Sequence, residues 1–187
     1  MRSIMPLFAF AIAAAAPALA VEPVPVPPFR AIELHGGGIV NIVPAAVQRV
    51  RLVEGSTQFT RIRVHRDGKL VIDACNEQCP RDYHLRVQIE SPQVVGLGID
   101  GGGLMTAAAG FRPQNELGVA VNGGGKIDAR SIEAAHVGAT VNGGGVVLVR
   151  ARSALGASVQ GGGDIVYWGN PTVATSINGG GAVHRGG

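Results

Sequence analysis

Aromatic side chains are scarce in this chain of 187 residues: five Phe, two Tyr and one Trp amount to 4% of it. So few rings exclude a thick aromatic core and suit a thin interior of Val, Ile and Ala. Cysteine is nearly absent as well. Two residues, Cys75 and Cys79, cannot build a tetrahedral metal site, which needs further ligands that one nearby His84 does not supply. Helical periodicity is missing from every segment after Ala20. The formal net charge is only +3, which implies no obligatory acidic partner and argues against nucleic acid. Sequence patterns of hydrolytic or nucleotide chemistry (H-E-x-x-H, G-x-S-x-G, the Walker loop) do not occur. The five histidines, His35, His65, His84, His136 and His184, stand in no catalytic spacing. Only one regular glycine corner is followed by an acid, Asp164, so a recurring carboxylate cage for calcium is lacking.

Glycine, in contrast, is abundant and ordered. Six triplets begin at Gly36, Gly101, Gly123, Gly143, Gly161 and Gly179, and the last five recur at short, nearly even intervals. The structural corners are Gly101-Gly102-Gly103, Gly123-Gly124-Gly125, Gly143-Gly144-Gly145, Gly161-Gly162-Gly163 and Gly179-Gly180-Gly181. Two residues before each stands a β-branched side chain (Ile99, Val121, Val141, Val159, Ile177). A polar residue follows it: Asp100, Asn122, Asn142, Gln160, Asn178. Apolar alternation resumes after the corner at Met105, Ile127, Val147, Ile165 and Val183. Alternation is the mark of strands. A steady period of about 20 residues is the mark of a repeat architecture. The pattern predicts an all-β chain wound as a single right-handed, three-sided parallel β-solenoid. Val and Ile would stack inside, the polar residues would form a ladder, and a glycine triplet would sit at each corner. The longer interval from Gly36 to Gly101 reads as about three more steps of the same size, for about eight coils in all.

Residues 1–20 combine Arg2, an apolar run and Ala18-Leu19-Ala20, the pattern of a cleaved signal peptide. Pro6 and Pro17 interrupt the run, which speaks against a stable membrane span. Residues 21–28 alternate Val and Pro, reading either as a linker or as an edge cover with Val24 and Val26 inward. Residues 29–187 form the solenoid domain. Within it, Thr60–His65 alternates strictly, Arg66-Asp67-Gly68-Lys69 is a turn, Leu70–Ile72 is a strand, and Tyr83–Glu90 alternates again. Export makes a Cys75–Cys79 disulfide the favoured state of the two thiols.

Two sequence features resemble a known family. One is Gly161-Gly162-Gly163-Asp164-Ile165-Val166-Tyr167-Trp168-Gly169-Asn170-Pro171, followed by Ser176-Ile177-Asn178-Gly179-Gly180-Gly181. The other is the Gly68–Ile72 strand with Ser91-Pro92 closing the irregular half. Together they resemble the auto-transporter adhesin head, or GIN, domain family of exported β-solenoids. The family writes its corners Gly-Ser-Gly, whereas here the middle residue is Gly throughout. The resemblance implies an adhesin-like architecture and brings no catalytic residues.

The expectation is therefore a non-enzymatic, cofactor-free module of the cell envelope, in the periplasm or at the surface. It would bind a surface polysaccharide or another envelope protein. The alternative is a structural element that self-assembles into a homo-oligomer through an open coil edge; a glycan-active enzyme ranks third. Two surfaces are candidates. Arg61 and Arg63 share a strand face with His65, as a patch for anionic polymers or as a solvated face balanced by nearby acids. Tyr167 and Trp168 form either a glycan platform or a plug for the core.

Overall fold

The computed structural model describes residues 21–76 and 78–187. The signal-peptide expectation for residues 1–20 lies outside the described residues. Among the described residues, alternating apolar positions form fifteen strands in one sheet. The irregular half contains β1 (Glu22–Val24), β2 (Ala31–Gly36), β3 (Ile39–Pro44), β4 (Arg49–Glu54), β5 (Arg61–Val64), β6 (Lys69–Asp73) and β7 (Arg86–Ser91). The repeating half contains β8 (Gly96–Gly101), β9 (Leu104–Ala107), β10 (Gln114–Gly123), β11 (Lys126–Gly143), β12 (Val146–Gly161), β13 (Asp164–Trp168), β14 (Thr172–Asn178) and β15 (Ala182–Arg185).

The sheet is mixed, which corrects the expectation of a single parallel β-solenoid. Pairs β1–β4, β4–β7 and β5–β6 are antiparallel, while the repeating half pairs in parallel. One path of neighbours runs β1-β4-β7-β3-β9-β11-β10-β8-β2-β6-β5, and β12 to β15 extend it. The long bent strand β11 pairs with β9 through its first residues and with β10 through its last. It thereby joins the two arms of the sheet around one interior, in a nearly closed, barrel-like arrangement.

The physical cause of the departure lies between the first two triplets. Ala31–Gly36 pairs directly with Gly96–Gly101, with Gly36 opposite Gly101. The long interval between them is thus one step of the ladder. The turn at Arg66–Lys69 folds β5 back on β6 as a hairpin, and a hairpin makes antiparallel neighbours. β4 likewise returns against β7. Val24 and Val26 of the Pro-rich segment pack against the core, and β1 covers β4.

The interior follows the repeat. Ile99, Val121, Val141 and Val159 stack in register and are 0–2% exposed. Ile177 continues the column on β14 but is 46% exposed, because β14 pairs with β12 and with no other strand among the described residues. Burying such a side chain contributes about 1.5–3 kcal/mol, so the column stabilises the centre of the molecule far more than its last row.

Candidate functional site

The repeat positions side chains in rows across the strands. The row before the glycine corners brings Asp73, His35, Asp100, Asn122, Asn142, Gln160 and Asn178 into register on successive strands. Asn142 Nδ2 donates to Asn122 Oδ1 at 2.8 Å. The first glycine of each corner has positive φ, from 91° at Gly36 to 132° at Gly101. The Cys75–Cys79 disulfide closes the loop beyond β6.

The basic strand β5 meets this row at its irregular end. Arg63 pairs with Asp73 through Nη1 and donates from Nε to His65 Nε2 at 3.0 Å. Asp73 also contacts His35 Nδ1 at 3.0 Å, and His35 Nε2 lies 3.2 Å from Glu33, which in turn holds Lys69 Nζ at 2.7 Å. Burial raises the pKa of the Glu33 carboxyl, but hydrogen bonds from Lys69 and His35 outweigh it and leave the value below the ordinary one. Arg63 is therefore a member of a neutralised chain. Arg61, on the same strand, is exposed and has no carboxylate partner among the described residues.

Tyr167 and Trp168 also part company. Tyr167 packs against the core beside Val149, the role of a plug. Trp168 alternates outward opposite Arg150. Its indole N–H donates to Gly187 O at 3.1 Å, and Gly186 sits so close that a Cβ there would strike the ring. The Arg130 guanidinium lies 4.8 Å from the ring centroid. Arg130 in turn donates from Nε and Nη2 to the two carboxylate oxygens of Asp128, at 2.9 and 2.6 Å. These bonds hold the Asp128 carboxyl below its ordinary pKa against the opposing effect of burial. The indole is thus contacted by the Arg130 guanidinium and by the Gly186–Gly187 backbone, and it lines an open depression.

Sequence reasoning missed this neighbourhood, although the signal was present. Arg130, Arg150, Trp168 and Gly186 follow one another at the same steps as the glycine corners from Gly123 to Gly179. Arg150 and Trp168 stand opposite each other on β12 and β13, and Arg150 Nε donates to Arg130 O at 3.2 Å beside the register shift of β11. Arg130, Arg150 and Trp168 border an open depression of about 570 Å³, floored by Phe111. A second, of about 870 Å³, lies across Pro113, which belongs to both rims. Gln114 in the wall of the larger one donates from Nε2 to Val94 O and Glu116 O, at 2.8 and 2.7 Å. Two carbonyl acceptors fix the orientation of that amide, and its Oε1 is left without a donor. Among the described residues no three His, Cys, Asp or Glu side chains are grouped to hold a metal. No helix there is long and apolar enough to cross a membrane.

Residues 113–171 match the family model described as "Putative auto-transporter adhesin, head GIN domain". The structure is similar to that of a putative adhesin from Bacteroides fragilis, with TM-score 0.57 and 18% identity, covering 91% of this chain and 98% of that one. It is also similar, with TM-score 0.45 and 18% identity, to a putative adhesin from Parabacteroides distasonis, covering 90% and 97% of the two chains. A protein from the same organism described as a putative lipid binding protein gives TM-score 0.42 and 14% identity, covering 89% and 96%. No curated protein matches the chain.

Proposed function

We propose that this chain is an exported, non-catalytic module of the cell envelope that binds a surface polymer along its outer face. The family model over residues 113–171 and the fold of the B. fragilis adhesin support an adhesin-like role. The signal-like pattern of residues 1–20 supports export. The single observation that carries the reading is the form of the surface. Its depressions are open and contiguous across Pro113; the larger is lined mainly by connections between strands, and the smaller partly by β9, β11, β12 and β13. Such a surface suits an extended ligand better than an enclosed small molecule, which concave and largely enclosing pockets favour.

The test begins with location and then turns to binding. Protease added to intact cells should digest the mature protein while a periplasmic control survives. Protection until the outer membrane is opened would end the surface reading. The isolated protein should then be retained by polysaccharide extracted from the same envelope. Retention by no envelope polymer would end the polymer reading.

A second reading has its own observation: Ile177 continues a buried column yet is 46% exposed on an edge strand. A second copy laid on β14 would cover it. Sedimentation at increasing concentration separates the two readings, since only stacking produces larger species that Ile177→Asp abolishes.

A further inference from the structure

The two depressions at Pro113 combine paired acids with cations that have no carboxylate partner among the described residues. Both acids lining the smaller one are engaged by arginines: Asp128 by Arg130 at 2.6 Å, and Glu133 by Arg152 at 3.4 Å. Arg150, which lines the same depression, has no carboxylate partner among the described residues. Its Nε is tied to the Arg130 carbonyl, which anchors the guanidinium and leaves both terminal amino groups for a ligand. Across Pro113, Arg112 lines the larger depression, is exposed, and makes no hydrogen bond or ion pair among the described residues. Two uncompensated cations therefore stand on either side of one ridge.

The remaining lining is neutral and rich in hydrogen-bonding groups. Gln93, Gln114 and Asn115 supply amides to the larger depression, and Ser131 supplies a hydroxyl to the smaller. Among the described residues, Gln114 Oε1 is the buried side-chain acceptor that still lacks a donor. Pro44, Pro92, Pro113 and Phe111 present flat carbon surfaces between these polar groups. Amides and a hydroxyl suit ligand hydroxyl groups, and arginine suits carboxylates. A protein partner would need one desolvated apolar centre, whereas here the prolines and Phe111 are interspersed with amides and arginines. Single-stranded nucleic acid would need exposed rings on which bases stack, but Trp168 is already contacted by Arg130 and Gly186.

We infer that the Pro113 ridge is a binding site for an acidic polysaccharide, with sugar carboxylates on Arg150 and Arg112 and sugar hydroxyls on the intervening amides. The inference rests on the polymer-binding reading and names its ligand class.

Affinity electrophoresis of the mature protein through gels containing polygalacturonate, dextran, polyglutamate or single-stranded DNA tests it. Polygalacturonate should retard the protein and dextran should not. The double variant Arg112→Gln/Arg150→Gln should bind polygalacturonate at least ~10-fold more weakly, as expected for two lost charge-assisted contacts. Arg61→Gln, an exposed arginine at the far end of the sheet, should leave binding unchanged. The circular dichroism and melting of each variant should match the parent, since neither Arg112 nor Arg150 is buried. Equal retardation by polyglutamate or DNA would overturn the saccharide assignment. Undiminished binding by the double variant would overturn the site. Retardation by dextran alone, or loss of binding in Arg61→Gln alone, would overturn this inference and leave the polymer-binding reading standing. Absence of binding to every gel polymer would overturn the inference too. Retention on the native envelope polymer then decides the wider reading separately.

Discussion

The three glycines of one corner are not equivalent, and the difference lies in single atoms. At Gly145 an added Cβ would come within 2.5 Å of Val121 Cγ1 and 2.7 Å of the Gly125 carbonyl oxygen. Backbone on one side and the buried column on the other leave no room to yield. At Gly144 nothing lies within 4 Å of the same atom. Gly145→Ala should therefore destabilise the protein by about 1–3 kcal/mol, as overpacking does. Gly144→Ala should stay within about 0.5 kcal/mol. Chemical denaturation of the two variants checks this, and equal losses would refute the clash. The triplet spacing was plain in the sequence. Which glycine touches what was not, because a pattern of identical residues cannot distinguish a residue facing solvent from one facing the previous strand. The same limit applied to Tyr167 and Trp168. Adjacent strand residues face opposite sides, so one plugs the core while the other stands opposite Arg150.

Strand pairing explains which part of the fold could be read directly. Wherever the chain keeps its regular period, each strand finds its neighbour one step away, as Asn122 finds Asn142. Between Gly36 and Gly101 the same rule misleads. Sequence distance there measures an insertion that includes antiparallel pairs as well as parallel ones, and the ladder itself advances by one row. The turn at Arg66–Lys69 was visible in the sequence. Its consequence was not, since a hairpin reverses direction and forbids a wholly parallel sheet. The Asp128–Arg130 pair near the start of β11 yields a pH prediction at this scale. Its hydrogen bonds to Arg130 hold the folded carboxyl below its ordinary pKa. The contribution is therefore present in full above the unfolded value and is lost as pH falls through the folded one. Asp128→Asn should be less stable than the parent at neutral pH, and the gap should close as the medium becomes more acidic than the ordinary carboxylate range. Urea midpoints measured along a pH series give the gap directly, and a gap independent of pH would show that Asp128 contributes no charge interaction.

The molecule as a whole has a gradient of support along its ladder. β11 and β12 have neighbours on both sides, whereas β14 and β15 each pair with a single strand among the described residues. A backbone amide bonded between two strands exchanges only when the sheet opens, while edge strands open locally. Hydrogen exchange should therefore be slowest across Lys126–Gly143 and fast across Thr172–Asn178. The side-chain column gives the same ordering in energetic form. Val141 is fully buried, and Ile177 occupies the corresponding place on the open edge. An aspartate at Val141 would place an unpaired charge inside the sheet, a mechanism that costs several kcal/mol. At Ile177 water solvates the new carboxylate, so the change should stay within about 1 kcal/mol. Val141→Asp should fail to give a cooperative melt, and Ile177→Asp should melt close to the parent. Exchange then separates the two functional readings without a ligand. If the outer face is the working surface, protection of β14 is the same in dilute and concentrated solution. If a second copy covers the edge, protection rises with concentration and Ile177→Asp removes the rise. A concentration-dependent rise would transfer the functional assignment from the ridge to the edge.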